Sequence, residues 1–529
     1  MKHYTKLNRK DAIALFSGKN KRLRLIISQF SNAVFFGSLV AKIGWCVTLT
    51  LINPTIFAII SLIAVNAEVN AEEEVICPAE LPQAIEAIIN SPEFERSRWG
   101  ILVEPLNVSS LNSNPELYAL NARSYFVPAS NTKILTTAAV LHKLGADYRI
   151  RTPIYITGNP PNLTRLYLAG QGDPSLTRQT LQQLARQLRD RGVETISELI
   201  VEDRSLSHGI RHPTWENYDL NFYYGAAVNR LILNENTFNL TLYPQQPGQP
   251  LRLEWDDAIA ARQWQFNNQT QTGELDTDYT VDITGTLGTP ILNLTGQLAV
   301  NANSDPWAMA ILNPSQYFLD TFHTVLEIES IAIASAKIRD RPQIQKTKRE
   351  IANIESPPIA DLIRDTNQPS NNLYAEALLQ LLGENALSSP LNALEAALND
   401  LGVDPHSYQL TDGSGLSRHN FLSPEAIVQT LQGIARSPQG EIYRASLPVA
   451  GVSGTLRNRF QNTSVQEMMQ AKTGTMTGVS TLSGYLEVPE YQPLVFSIML
   501  NHADRSVREQ REAIDKIVLA LRKLQFCSY

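Results

Sequence analysis

The sequence predicts an α+β fold whose sheet takes strands from both ends of the chain and is interrupted by a large β-rich insertion. Three observations predict it. Strand-like runs, "WGILVEPLN" and "ELYALNARSYF", precede a strongly helical stretch near residue 130. Two more, "VSTLSGYLEVP" and "QPLVFSIMLNH", come just before the last helix. Between about Tyr148 and Asn303 the texture changes to short alternating runs separated by Gly, Pro and Asn clusters.

In chain order, residues 1–71 form a basic extension followed by apolar sequence. Lys2 to Arg24 hold eight of the basic residues, then come two uncharged stretches, Leu25 to Ala41 and Ile43 to Ala67, separated by Lys42. The second stretch ends in "VNAEVNA". It reads either as a signal peptide with small-residue cleavage sites after Ala67 or Ala71, or as an uncleaved anchor, since about 20 apolar residues span a bilayer. Either way the rest of the chain is exported, to the periplasm or cell envelope. Residues 79–92 read as an amphipathic helix. The two strand runs follow, then "PASNTKIL", behind which Ile134, Leu135, Ala138, Ala139, Leu141 and Leu144 keep helical spacing up to Gly145. The insertion, 151–303, includes one helical run, "QTLQQLARQLRDRG". Helical texture returns at "PWAMAILNPSQYFLDTFHTVLEI", "PPIADLIRDTN" and "NNLYAEALLQLLG". The final helix places Ile514, Ile517, Val518, Leu521 and Leu524 on one face. Residues 79–150 and 304–529 therefore form the discontinuous main domain.

Charge narrows the partners. The 529 residues carry a net −7, but residues 1–70 alone hold nine Lys/Arg against two Asp/Glu, so the rest of the chain stands at −14. An acidic body without a basic run argues against nucleic acid. Of three cysteines, Cys46 lies in the N-terminal segment, leaving Cys77 and Cys527 near the two ends of the exported part. In an oxidising compartment they either pair or stay as thiols on the two ends. No C-x-x-C or H-E-x-x-H supports a metal site.

Three short motifs carry chemistry. Ser130 and Lys133 form the chain's only Ser-x-x-Lys, and i and i+3 share a helix face. At a helix start the backbone favours nearby negative charge. A lysine with a pKa of about 10.4 is no base at neutral pH, so burial or a second cation is needed to lower it. Lys472, in the only Lys-Thr-Gly, supplies a second amine ahead of the closing strand pair. Gly474 permits close approach to the backbone, and Thr473 and Thr475 add hydroxyls suited to a peptide's terminal carboxylate. Ser370 and Asn372 open a third helix, where a second hydroxyl suits proton transfer and an amide suits a substrate peptide. Taken singly, each has a plainer reading: a capped helix, a hairpin turn and an N-cap.

Together, in the order S-x-x-K, S-x-N, K-T-G, they resemble the penicillin-recognising serine enzymes. The long first gap, filled by the insertion, narrows the resemblance to the class C low-molecular-mass penicillin-binding proteins, the D-Ala-D-Ala carboxypeptidase/endopeptidase type. "GQGDPSL", "TDGSGLSRHN" and "LPVAGVSGTLRNRF" add to it; Asn371 departs from the Asp that relatives often carry. The resemblance implies a transpeptidase-like domain, an antiparallel sheet flanked by helices. It implies that Ser130 is the nucleophile, Lys133 the base, with Lys472 nearby keeping its pKa down, Ser370 the proton shuttle and Asn372 the amide orienter. Lys472, Thr473 and Thr475 would bind the substrate carboxylate, with Gly474 beside them. Arg418, Asp203 and Met476 would face the free end of a diaminopimelate side chain. No cofactor is implied; the implied partners are peptidoglycan peptides ending in D-Ala-D-Ala and β-lactams. The alternatives are a β-lactamase and a non-catalytic wall-binding protein on the same fold; a G-x-S-x-G esterase elbow is missing from the sequence.

Overall fold

The structure, a computed structural model, describes residues 75–106, 116–203, 212–286, 288–340 and 349–527. The signal or anchor expected in residues 1–71 lies outside them. Among the described residues no helix is long and apolar enough to cross a membrane.

Residues 81–522 form one compact unit. Its first helix, α1 (Leu81–Ile89), buries Leu81, Ile85 and Ile89, the i, i+4, i+8 stripe of an amphipathic helix. Strands β1 (Arg98–Pro105) and β2 (Tyr118–Leu120) follow, then α2 (Thr132–Leu144). The inserted segment begins with β3 (Arg151–Asn159), β4 (Asn162–Ala169), α3 (Arg178–Asp190) and β5 (Thr195–Glu202). Further along the chain come α4 (Pro314–Ile328), β6 (Arg349–Glu355), α5 (Ile359–Asn367), α6 (Asn372–Asn385), α7 (Pro390–Asp400) and α8 (Pro424–Ala435). The chain closes through β7 (Met469–Met476), β8 (Val479–Leu486), β9 (Leu494–Asn501) and α9 (Val507–Arg522).

The main sheet runs β7-β8-β9-β1-β2, antiparallel throughout, so strands from both ends of the chain interleave as expected. Every residue of β8 and β9 is buried; β9 accordingly reads as a nearly continuous apolar run, while β8 buries the hydroxyls of Ser480, Thr481 and Ser483 as well. Helix α2 is buried from Thr132 to Leu141, and its apolar residues share one core with those of α5, α6, α7 and α8.

The insertion extends further than its texture suggests. Its largest sheet contains β3, β4 and β5, but β6 pairs antiparallel with β3, and short strands at Ala332–Ile333 and Ala336–Arg339 pair with β5. The second hydrophobic core takes in Ile154, Phe318, Phe322 and Ile354 together. The boundary expected at 303 therefore moves to Glu355. Helix α4 looked like a return to the main domain because an apolar stripe does not reveal which sheet it covers. Leu524, expected on the last helix, lies beyond α9.

The other unit is described over residues 75–80 and 523–527. There Cys77 and Cys527 form a disulfide with Cα atoms 5.7 Å apart. Beside it, Ile76 N donates to Lys523 O at 3.0 Å and Gln525 N to Ile76 O at 3.1 Å.

Candidate active site

Ser130 lies in a 3-10 turn, Ala129–Asn131, that runs into α2. No side chain caps either helix start, so the plain reading of Ser130 as a cap does not describe it. Its hydroxyl instead accepts from Lys133 Nζ at 3.0 Å. The turn is held by its neighbours: Asn131 Nδ2 donates to Ser483 Oγ at 2.8 Å, and Thr481 Oγ1 donates to Pro128 O at 3.0 Å. Ala129 sits at φ +48°, a left-handed conformation costly for a residue with a Cβ.

Lys133 is fully buried. Besides Ser130 it donates to Asn372 Oδ1 and to Ser414 O, both at 2.6 Å. Burial brings its pKa down to about 7, against the opposing pull of Asp412 and Glu376. Lys472, also fully buried, donates to Ser370 Oγ at 2.8 Å and Thr473 O at 2.9 Å. Its pKa is held well below the usual lysine range, first by burial and then by the charge of Lys133. Lys472, expected to keep the pKa of Lys133 down, is not what lowers it: burial does, and the charge effect runs from Lys133 onto Lys472.

The S-x-N motif is strained and clamped. Ser370 has φ +64°. Asn371 caps α6 by accepting from Tyr374 N at 3.1 Å, while its Nδ2 donates to Glu235 Oε2 at 2.7 Å. Asn372 Nδ2 donates to Tyr224 O at 2.7 Å, so both ends of this amide are engaged. Tyr224 and Glu235 both belong to the inserted segment.

Glycines permit two close approaches. A Cβ on Gly474 would lie 2.2 Å from Thr481 Oγ1, 2.8 Å from Pro128 O and 3.1 Å from Ser130 N. The approach expected there for a ligand is thus also one between β7 and the nucleophile's own turn. A Cβ on Gly415 (φ +82°) would lie 1.9 Å from Ala129 O.

Glu376 and Asp412 were not foreseen as site residues. Glu376 stands one turn beyond Asn372 on α6 and accepts from Gly413 N at 2.9 Å and Ser414 N at 2.7 Å. Asp412 accepts from Gly415 N, Ser417 N and Asn420 Nδ2, each at 2.7 Å, and from Trp215 Nε1 at 2.9 Å. These two buried carboxylates set the Thr411–Asn420 loop, whose Ser414 carbonyl receives Lys133. Burial and the charge of Asp412 push the Glu376 carboxyl up to about 8. The only sequence signal was that "TDGSGLSRHN" stood out as a unit.

Thr473 Oγ1 donates to Thr455 Oγ1 at 2.8 Å. Met476 ends β7, half-buried. Arg418 reaches Thr477 O from both Nη atoms at 3.4 Å and pairs with Glu216 at 3.0 Å. The acid that accompanies Arg418 is therefore not Asp203. Asp203 accepts from Arg230 N at 3.0 Å, from Asn229 Nδ2 at 2.9 Å and from Ser315 Oγ, contacts internal to the insertion. Asp219 lies near Glu216 and Arg418; burial, then Glu216, raise its pKa to about 6. The overlooked signal was an i, i+3 acid pair within the aromatic run "TWENYDLNFYYG".

Comparison with known proteins gives one consistent answer. A family model described as the D-Ala-D-Ala carboxypeptidase 3 (S13) family matches residues 81–523. The chain is 30% identical over 443 residues to a D-alanyl-D-alanine carboxypeptidase from an Actinomadura species, covering 80% of this chain and 81% of that protein. It is 28% identical over 468 residues to a penicillin-sensitive carboxypeptidase A from Dictyostelium discoideum, covering 81% and 87%. The crystal structure of penicillin binding protein 4 from Haemophilus influenzae superposes with a TM-score of 0.71 at 22% identity, over 84% of this chain and 98% of that one.

Proposed function

The chain belongs to the D-Ala-D-Ala carboxypeptidase 3 (S13) family, and from that premise we propose how its residues carry out the reaction. It is a serine-type D-Ala-D-Ala carboxypeptidase that acts on peptidoglycan stem peptides and is acylated by β-lactams. The observation that carries the assignment of roles is the convergence of two buried, low-pKa amines on two hydroxyls: Lys133 on Ser130 and Lys472 on Ser370.

Ser130 Oγ attacks the carbonyl joining the two D-alanines while neutral Lys133 takes its proton. Backbone N–H groups of Ser130 and Thr475 receive the oxyanion, each donor typically worth roughly 3–4 kcal/mol. The C–N bond breaks as Ser370, paired with Lys472, delivers a proton to the departing D-alanine amine. Water then hydrolyses the Ser130 ester and releases the shortened peptide. Thr473, Thr475 and Lys472 bind the terminal carboxylate. Asn372 holds Lys133 in the free enzyme and orients the acyl amide when substrate arrives. Arg418 with Glu216 and Asp219 presents both charges needed for the amine and carboxylate at the free end of diaminopimelate, and Met476 lines that pocket. Cleavage of peptide cross-links uses the same site. The acidic body works outside the cytoplasmic membrane, in the periplasm or cell envelope, delivered by residues 1–71 as a signal or an anchor.

Fluorescent penicillin tests this reading. Stable label on the wild type and none on Ser130→Ala, together with release of D-alanine from a stem pentapeptide, is the expected result. Rapid turnover of the label would make the chain a β-lactamase; no label on either would make it a wall-binding protein.

A further inference from the structure

Helix α9 presses a cation against the carboxylate-binding strand. Ser480 is the register partner of Thr475 across β7 and β8. Ser480 Oγ donates to Gln510 Oε1 at 2.8 Å, both side chains buried, and Gln510 Nε2 donates to Arg505 O at 2.7 Å. This fixes the rotation and height of α9 on β8. The next residue, Arg511, then reaches around to β7, and its Nη2 donates to Thr475 Oγ1 at 3.4 Å. Asp515, one turn further along α9, takes its ion pair from Arg459 and also feels the charge of Arg511.

The direction of this hydrogen bond matters. A hydroxyl that accepts from a guanidinium keeps its own proton to donate elsewhere, and polarisation by the cation makes it a stronger donor. Thr473, two positions earlier, already directs its hydroxyl to Thr455. Thr475 thus keeps its hydroxyl proton available for an incoming anion, with the Arg511 guanidinium on its other side. Guanidinium suits this role better than an amine, being always charged and rigid in its donor geometry.

We propose that Arg511 is a specificity residue: through Thr475 it makes the enzyme prefer acyl donors that end in a free carboxylate. The proposal rests on the reading of β7 as the carboxylate site. Arg511 touches the Thr475 hydroxyl, not its backbone N–H or the reacting atoms, so it acts on recognition of the carboxylate.

A matched pair of thioester donors separates recognition from chemistry: an N-acyl-D-alanyl-thioglycolate, which carries the carboxylate, and the corresponding thioglycolamide, which does not. For Arg511→Met, kcat/KM on the carboxylate donor is expected to fall roughly 10-fold or more, as for loss of a charge-assisted contact, mainly through KM. On the amide donor the change is expected to stay under about 2-fold, and Arg511→Lys should recover part of the preference by restoring the charge. Equal losses on both donors, or none on either, would overturn the proposal, since a merely structural role cannot tell the two apart. If the wild type shows no preference for the carboxylate donor, the reading of β7 falls and the proposal with it. Thermal melts of both variants confirm that the compared proteins are folded.

Discussion

Lys133 shows why a lysine can serve as a base here and not on a surface. Three acceptors hold its Nζ, yet the amine is wholly shielded from water, and that shielding brings its pKa to about 7. A base acts when unprotonated, so acylation by a β-lactam should rise with pH and level off above an apparent pKa near 7. Stopped-flow acylation rates between pH 5 and 9 check this; a flat profile would remove Lys133 from the role. Lys133→Ala should slow acylation by roughly 10²–10⁴-fold, the span of general-base contributions. Glu376 has the opposite linkage. Its carboxyl is raised to about 8 in the fold, above its unfolded value, so the native state holds the extra proton and loses stability as pH climbs from about 4.5 to 8. Glu376→Gln keeps an oxygen for the N–H groups of Gly413 and Ser414 and removes that penalty. Its Tm relative to wild type should therefore increase steadily from pH 5 to pH 8, whereas Glu376→Ala, losing the acceptor, should melt lower throughout. The three motifs were legible because serine, lysine and asparagine at fixed short spacing are sparse. Glu376, Asp412, Glu216 and Asp219 were not, because the chain has 52 acidic residues and only folding buries Glu376 and Asp412 or brings Glu216 and Asp219 to Arg418.

At the scale of elements, one helix organises much of the chemistry. Ser370 and Asn371 lead into α6, Asn372 begins it and Glu376 follows a turn later, so one end of one helix touches both lysines, the insertion and the Thr411–Asn420 loop. The insertion contributes through a turn in which Asn234, Glu235 and Asn236 all have positive φ, at 49°, 56° and 51°. Glu235 from this turn holds Asn371, and so fixes the strained backbone of Ser370 next to it. Glu235→Ala should slow acylation about 10-fold, on the scale of one buried polar partner left unpaired. Glu235→Gln should restore most of the rate, because it can still accept from Asn371 Nδ2. If both substitutions leave the rate unchanged, the turn is a spacer only. Sequence periodicity identified α1, α2, α9 and the β8–β9 pair because each has a long, one-sided or wholly buried pattern. It missed the extent of the insertion because β6 reads as a short polar-alternating run that only its pairing with β3 assigns.

For the molecule as a whole, the nucleophile and the second lysine meet only when distant parts of the chain form one sheet. Ser130 follows β1 and β2, Lys472 lies on β7, and the order β7-β8-β9-β1-β2 joins them. That order was readable in outline from strand runs at both ends; the placement of the insertion's segments against Asn371 and Asn372 was not, because contacts across such separations leave no local pattern. The disulfide belongs to the other unit. Cys77 and Cys527 are 450 positions apart. Closing so long a loop restricts the unfolded chain, an effect typically of about 2–4 kcal/mol, while leaving the catalytic groups as they are. In a protein of this size such a loss is spread over a large unfolding entropy, so the shift in Tm is small. The double variant Cys77→Ser/Cys527→Ser should therefore melt a few degrees below wild type and acylate with fluorescent penicillin at the same rate at 25 °C. A large fall in acylation rate with an unchanged Tm would mean that the bridge orders the catalytic groups and does not merely limit the unfolded state.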